Sequence, residues 1–234
     1  MRCVWRVDRV SERRKQFKRF STDESGGERL IGGSQRGVAF LPRGLVRPAH
    51  LLVAGDDPAA FCAAVADRDV VIDIGAGKGR FAVERAALSP DKVVLATETR
   101  LGFCLTALRR AERALVQNLW AAWGDARRTV PAFVRPGAAC EVTLLFPDPW
   151  WKRRHAGRRH GSLMVRVIAD ALRAGGMLVL KTDVPEYLEA LVETVSDSHE
   201  FEEAPVPDDM PLTDREARLR EMGTKVFAAA FRRR

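Results

Sequence analysis

From Ala59 onward, short apolar runs alternate with longer stretches in which apolar residues recur at spacings of three and four. The runs Val70 to Ile74, Val93 to Ala96, Glu141 to Phe146 and Gly176 to Leu180 predict strands, and a weaker run from Leu119 to Trp123 predicts another. Phe81 to Leu88, Leu101 to Leu115, Leu163 to Leu172 and Tyr187 to Val195 predict helices, the third closed by Gly175-Gly176 as a C-terminal stop. The acidic stretch from Glu200 to Pro211 carries three prolines and predicts a long surface loop before a final helix and strand. This βαβα order predicts an α/β fold: a mostly parallel sheet with helices on both faces. Ligands then belong beyond the carboxyl ends of the strands, where the strand order reverses.

The first 48 residues show no sustained period of either kind. They are basic and rich in Gly and Ser from Ser21 to Gly37, which predicts a flexible N-terminal arm (1–48) ahead of one folded domain (49–234). Apolar residues make up 46% of the 234 and charged residues 30%, a globular balance, and no apolar run approaches the roughly 20 residues that span a bilayer. The charged N-terminus lacks the apolar stretch of a secretory signal, so a cytoplasmic protein without membrane contact is expected, as a monomer or homodimer. Cys3, Cys62, Cys104 and Cys140 are scattered, with no CxxC pair and no nearby His, so neither a metal site nor a disulfide framework is expected. The net charge of +8 permits attraction to a polyanion without identifying one.

Candidate chemistry follows the strands. After the first comes Asp73-Ile74-Gly75-Ala76-Gly77-Lys78-Gly79-Arg80, where glycines let the backbone turn tightly and approach a ligand closely. A dinucleotide fingerprint needs Gly or Ala at position 80, where Arg80 stands. The GxGxG pattern with an acid at Asp73 favours S-adenosyl-L-methionine over a nicotinamide dinucleotide. Glu98, about 20 residues past the loop at the end of the next strand, is placed to accept hydrogen bonds from both ribose hydroxyls. Asp125, after the run ending at Trp123, is placed to accept the adenine amino group; an ordinary helix N-cap is its other reading.

The strand ending at Phe146 runs into Pro147-Asp148-Pro149-Trp150-Trp151-Lys152-Arg153-Arg154-His155-Ala156-Gly157-Arg158-Arg159-His160, an acid followed by aromatics and a dense basic run suited to phosphates. This segment, FPDPWWKRRHAGRRH, resembles the FPDPWPKKRH hallmark of the bacterial tRNA (guanine-N7) methyltransferase family. Lys181-Thr182-Asp183 with Tyr187, Thr213 to Arg218 against the family's TKFExR, and Gly223 extend the resemblance over roughly residues 68 to 232. It implies a Rossmann-like class I methyltransferase fold with a seven-stranded sheet. It also implies that Asp73, Gly75, Gly77, Glu98 and Asp125 hold S-adenosyl-L-methionine, and that Asp148 is the catalytic acid where cofactor and guanine meet. Lys152, Asp183, Thr213, Asp214, Arg215 and Glu216 then contact the substrate; Arg154, His155, Arg158 and Arg159 contact tRNA, near a variable-loop guanosine. The chain departs from the family where Trp151 replaces proline, Asp214-Arg215 replace Lys-Phe, and Thr224 stands where His is common.

Guanine N7 carries an in-plane lone pair and needs no strong general base, so alignment and acids that stabilise a growing positive charge are the expected contributors. Asp148, Asp183 and Glu216 are all open as readers of the guanine edge. A methyltransferase of this fold acting on another RNA or a protein, and a non-catalytic RNA-binding scaffold, are the alternatives.

Overall fold

The computed structural model describes residues 18–22, 28–32, 41, 46–53, 55–148 and 156–234, and the side chains of residues 41, 46–53, 55–148 and 161–234 among them. Its elements in chain order are β1 (Lys18–Thr22), β2 (Glu28–Gly32), β3 (Leu51–Val53), α1 (Ala59–Ala64), β4 (Val70–Ile74), α2 (Arg80–Leu88), β5 (Val93–Glu98), α3 (Leu101–Arg113) and β6 (Leu119–Trp123). They continue with α4 (Ala126–Phe133), β7 (Ala139–Leu145), α5 (Ala156–Ala171), β8 (Leu172–Thr182), α6 (Pro185–Ser196), β9 (Phe201–Ala204), α7 (Asp214–Glu221) and β10 (Phe227–Arg233).

Eight of these strands form one sheet in the order β3-β6-β5-β4-β7-β8-β10-β9. The pairings from β3 through β8 are parallel, and β10 runs antiparallel to both β8 and β9. The sheet thus holds eight strands rather than the seven expected. The additional edge strand, β3, has three residues, too few for a period to show, and it pairs with β6 through Leu51, Leu52 and Val53. From β4 the chain moves outward through β5 and β6, then returns to the other side of β4 as β7. The strand order therefore reverses between the carboxyl ends of β4 and β7, the crevice in which an open α/β sheet takes its ligand.

All five residues of β4 are buried, the signature of a parallel strand covered on both sides. Val70, Ile72 and Ile74 join an apolar cluster with Phe61, Val130, Phe133, Ile168, Leu191 and Val195, drawn from α1, α4, α5 and α6. Val71, one position out of step, joins a different cluster with Ala82, Val83 and Ala86 of α2 and Ala111 of α3. Each fully buried aliphatic side chain contributes about 1.5–3 kcal/mol relative to exposure. Asp73 alone interrupts the apolar content of this strand.

Two expectations, the helix stop at Gly175-Gly176 and the long loop, are revised. Helix α5 ends at Ala171, and Gly175-Gly176 fall inside β8, next to a register shift between Ala139 and Glu141 of its neighbour; Gly175 takes φ +75 there. The glycines accommodate an irregularity in a strand rather than a helix stop. The proline-bearing loop contains a short strand, β9, whose four residues pair with β10. Within the first 48 residues, Lys18–Thr22 pairs antiparallel with Glu28–Gly32. A two-stranded ribbon closed by backbone hydrogen bonds requires no apolar period, so none marked it in the sequence.

Gly79 fixes how α2 leaves the sheet. It is the N-cap of α2 with φ +80, and a Cβ added there lies 2.3 Å from the Cβ of Ala107 and 2.9 Å from its Cα, on α3. Gly79→Ala combines backbone strain of about 1–2 kcal/mol with overpacking of about 1–3 kcal/mol, an expected loss of about 2–5 kcal/mol in urea unfolding. Adding Ala107→Gly removes the 2.3 Å contact with Cβ but neither the 2.9 Å contact with Cα nor the strain, so the two losses are expected to be less than additive. Full additivity would contradict this contact.

Candidate active site

The loop after β4 is built by backbone. Gly75, Gly77 and Gly79 all have positive φ, and Gly75 N–H and Ala76 N–H donate to the Thr97 carbonyl at 2.9 and 3.0 Å, binding the loop to the end of β5. A Cβ added at Gly75 or Gly77 meets nothing within 4 Å, so both border open space, whereas Gly79 is packed. The N-terminus of α2 has no side-chain cap. Its first-turn N–H groups, with their positive dipole end, are accordingly left for a ligand or solvent.

Glu98 closes this loop from β5. One carboxylate oxygen, Oε2, accepts from Gly77 N–H at 3.1 Å, and Oε1 accepts from Arg100 N–H at 2.9 Å and from the Thr99 hydroxyl at 3.1 Å. A carboxylate offers about four acceptor positions, so capacity remains for a hydroxyl partner. Asp125 is the N-cap of α4: its carboxylate accepts from Arg127 N–H at 3.0 Å and from the Arg127 guanidinium. Burial raises its pKa, but the Arg127 hydrogen bonds and charge outweigh that and hold it below the ordinary carboxylate range. The helix-cap reading of Asp125 is thus realised, with the side chain at the carboxyl end of β6 as expected.

Asp73 is 2% exposed and accepts a 2.9 Å hydrogen bond from the Thr143 hydroxyl on β7. Burial pushes its pKa up to about 7, against the lowering effect of the Thr143 bond and with support from the charges of Glu141 and Glu98. Near neutral pH this carboxyl is therefore divided between its neutral and ionised forms. Cys104, behind Glu98, is pushed up to about 12 by burial and stays a thiol; Cys62, Cys104 and Cys140 are all free.

The exit from β7 begins at Phe146, a non-glycine residue at φ +52 whose N–H donates to the Lys181 carbonyl at 2.7 Å. This left-handed step, costing about 1–2 kcal/mol, redirects the chain as it leaves β7. Asp148 follows, exposed, with the Tyr187 hydroxyl donating to its carbonyl at 3.3 Å. Among the described residues no side-chain partner is recorded for its carboxylate. Lys152, Arg154 and His155, with Trp151, lie outside the described residues, and Arg158 and Arg159 fall in α5, where the backbone alone is described.

Thr213 caps α7, its hydroxyl accepting from Glu216 N–H at 2.9 Å. The next three residues each meet a charge on another element or on α7 itself. Asp214 pairs with Arg110 of α3 at 2.8 Å, Arg215 forks onto Asp183 at 2.7–3.1 Å, and Glu216 faces Lys181 with both oxygens at 3.3 Å while also pairing with Arg220. Arg215 holds the Asp183 carboxyl below its usual range against a small effect of burial, and its guanidinium lies 5.9 Å from the Phe146 ring centroid. Lys181 is 8% exposed and Glu216 2%. Sequence reading gave Lys181 and Arg110 no role. A lysine ending an apolar strand is itself a signal, since a buried ammonium demands a partner; Arg110 sits 104 residues from its partner and carries none.

Five acids thus stand at or just beyond the carboxyl ends of β6, β5, β4, β7 and β8, adjacent in that order: Asp125, Glu98, Asp73, Asp148 and Asp183. A family model described as "Putative methyltransferase" matches residues 67–229, which contain all of them and α7. The chain belongs to this methyltransferase family. A tRNA (guanine-N(7)-)-methyltransferase of Thermosynechococcus vestitus is 38% identical over 123 residues, 52% of this chain and 58% of the relative. One of Thermus thermophilus is 34% identical over 165 residues, 69% of this chain and 53% of the relative. The chain therefore spans between half and three-fifths of the length of these curated relatives. A crystal structure of a 16S rRNA (adenine(1408)-N(1))-methyltransferase mutant with cosubstrate SAM from Catenulisporales acidiphilia shares the fold. It has a TM-score of 0.56 at 20% identity and covers 76% of this chain and 92% of that one. Among the described residues no helix is long and apolar enough to cross a membrane, and no group of three or more His, Cys, Asp or Glu is placed to hold a metal ion.

The raised pKa of Asp73 makes this methyltransferase's stability depend on pH. The folded state keeps a proton that the unfolded chain loses near 4, so the stabilisation is complete below that and is lost as pH rises through about 7. Asp73→Asn removes the titration. Relative to the variant, the parent is expected to lose about 2–3 kcal/mol between pH 5 and pH 8, at 1.36 kcal/mol per unit. Parallel stability profiles of parent and variant in urea would contradict a neutral Asp73 at pH 5.

Proposed function

We propose that this chain transfers a methyl group from S-adenosyl-L-methionine to N7 of a guanosine in tRNA, through a Rossmann-like class I fold with helices on both faces of its sheet. The observation that carries the reading is the placement of Asp148. Phe146 to Asp148 leave β7 at the reversal of strand order, where the neighbouring strand β4 ends in the open glycine loop, with the Asp148 side chain exposed. Relatives named for this activity align with the chain, and the assignment of alternate β4 residues to separate apolar clusters supports helices on both faces.

The residues present fit the cofactor. Gly75 and Gly77 border open space, the start of α2 offers N–H groups, and Glu98 keeps acceptor capacity for ribose hydroxyls. Asp73 holds the base of the loop, and Asp125 accepts the adenine amino group by sharing its carboxylate with Arg127. The cofactor supplies an electrophilic methyl group on a sulfonium centre. Guanine N7 would attack that methyl carbon with its in-plane lone pair while the carbon–sulfur bond breaks and S-adenosyl-L-homocysteine leaves as a neutral thioether, so no proton need leave first. The base becomes cationic as the bond forms, and the Asp148 carboxylate stabilises that developing charge. Glu216 is buried against Lys181 and Arg220, and Asp183 is forked through both oxygens to Arg215, which leaves Asp148 as reader of the guanine edge. Lys152, Arg154, His155, Arg158 and Arg159 take the RNA, their positive charges suited to phosphates. A tRNA substrate supports a cytoplasmic location, and the chain acts in this reading as a monomer or homodimer.

The test is incubation with S-adenosyl-L-methionine and an unmodified tRNA transcript, followed by nucleoside digestion and mass spectrometry. The parent is expected to give N7-methylguanosine at one site. Asp148→Ala is expected to lower kcat by about 100- to 1000-fold, the scale for losing a group aimed at developing charge, with cofactor affinity largely retained. A different methylated nucleoside would overturn the substrate, and unchanged turnover of Asp148→Ala would remove it from the mechanism.

A further inference from the structure

Helix α7 is held in place without a buried apolar residue. Of its eight residues only Glu216 is buried, and that side chain is charged. Ala217 and Leu219 are only half-buried, and among the described residues the contacts between α7 and its neighbours that involve charge all come from its first turn. Successive helical residues point about 100° apart, so Asp214, Arg215 and Glu216 project in three directions. They meet α3, the β8–α6 connection and the end of β8 respectively.

These directions span the mouth of the site. Lys181 and Asp183 belong to the end of β8, whereas α3 follows β5, and the sheet order β5-β4-β7-β8 puts two strands between them. Those two strands carry the glycine loop and Asp148 at their carboxyl ends. On the far side the anchor is Arg110, whose Nη1 donates to Asp214 Oδ2 at 2.8 Å and whose Nη2 donates to Oδ1 at 3.3 Å. Arg110 stands one turn beyond Ala107, the residue packed against Gly79. The fork thus ties α7 to the segment of α3 that supports the glycine loop. A carboxylate gripped by both guanidinium nitrogens has given up the paired-oxygen face that guanine N1–H and its amino group would need.

Resting on the proposed methyl transfer, we propose that Arg110 and Asp214 are positioning residues: their ion pair draws the first turn of α7 across the site from β8 to the cofactor loop, and Asp214 acts through Arg110 rather than by touching the substrate. Both side chains are partly exposed, at 35% and 40%. An exposed pair changes global stability little, so the consequence is local: without the fork, the first turn of α7 opens more often and the site is less often complete.

The experiment is a double-mutant cycle with Arg110→Met, Asp214→Asn and the combined variant, read in two ways. Hydrogen exchange of the peptide covering Asp214–Glu221 is measured on the protein alone. Methyl transfer to tRNA is measured at saturating cofactor. Arg110→Met, 104 residues away, is expected to speed exchange in α7 by about threefold to fivefold and to lower kcat/KM for tRNA by a similar factor. The combined variant is expected to be no worse than either single one. Losses that multiply would mean that Asp214 works independently of Arg110, and unchanged α7 exchange in Arg110→Met would mean that no tether exists. Either overturns the proposal. A parent without activity on tRNA would end the substrate reading instead, and the exchange measurement alone would then decide the tether.

Discussion

Lys181 ends an apolar strand with its ammonium almost entirely removed from water, and such a charge is tolerable only against a close counter-charge. Glu216 provides it, presenting both oxygens at 3.3 Å from a helix 35 residues away. The Lys181 carbonyl takes the Phe146 N–H at 2.7 Å, just where the chain turns left-handed and leaves β7 toward Asp148. One lysine therefore fixes two pieces of the site, with its backbone and with its side chain. Losing the ammonium alone leaves the buried Glu216 carboxylate only the exposed Arg220 as a partner and removes its ion pair with β8.

The sheet illustrates how far local pattern reaches. β4, β5, β6 and β7 were legible because parallel strands covered on both sides are almost continuously apolar, and their carboxyl ends placed Asp73, Glu98, Asp125 and Asp148 without further information. β3 and β9 were not, since three- and four-residue strands carry too little period. Gly175-Gly176 were read as a helix stop because two glycines after a helical period carry that meaning far more often than a register shift within a strand.

The site was legible in its acids and illegible in their partners. Asp125 carried two readings in the sequence, and Arg127, two residues on, meets it twice, with the backbone N–H that makes it a helix cap and with a guanidinium fork. Asp214 and Arg215 stood out as departures from the Lys-Phe of the resembling family, but their partners lie 104 and 32 residues away. No spacing rule links residues so placed, because the contact exists only once the sheet has brought β5 and β8 within three strands of each other.

Gathering so many carboxylates at one edge of a sheet sets a problem of repulsion, and each is answered differently. Asp73 shares a proton near neutrality because burial disfavours its charge. Glu98 is met by two backbone N–H groups and a hydroxyl, Asp125 by Arg127, Asp183 by Arg215, Asp214 by Arg110, and Glu216 by Lys181 and Arg220. Asp148 stands apart: exposed, at the reversal of strand order, with no recorded side-chain partner among the described residues. A carboxylate already forked to arginine has little field left for a charge that appears only as a bond forms. Of these acids Asp148 alone keeps its carboxylate clear of a side-chain partner among the described residues, and this is the feature on which its proposed role toward a base made cationic by methylation rests.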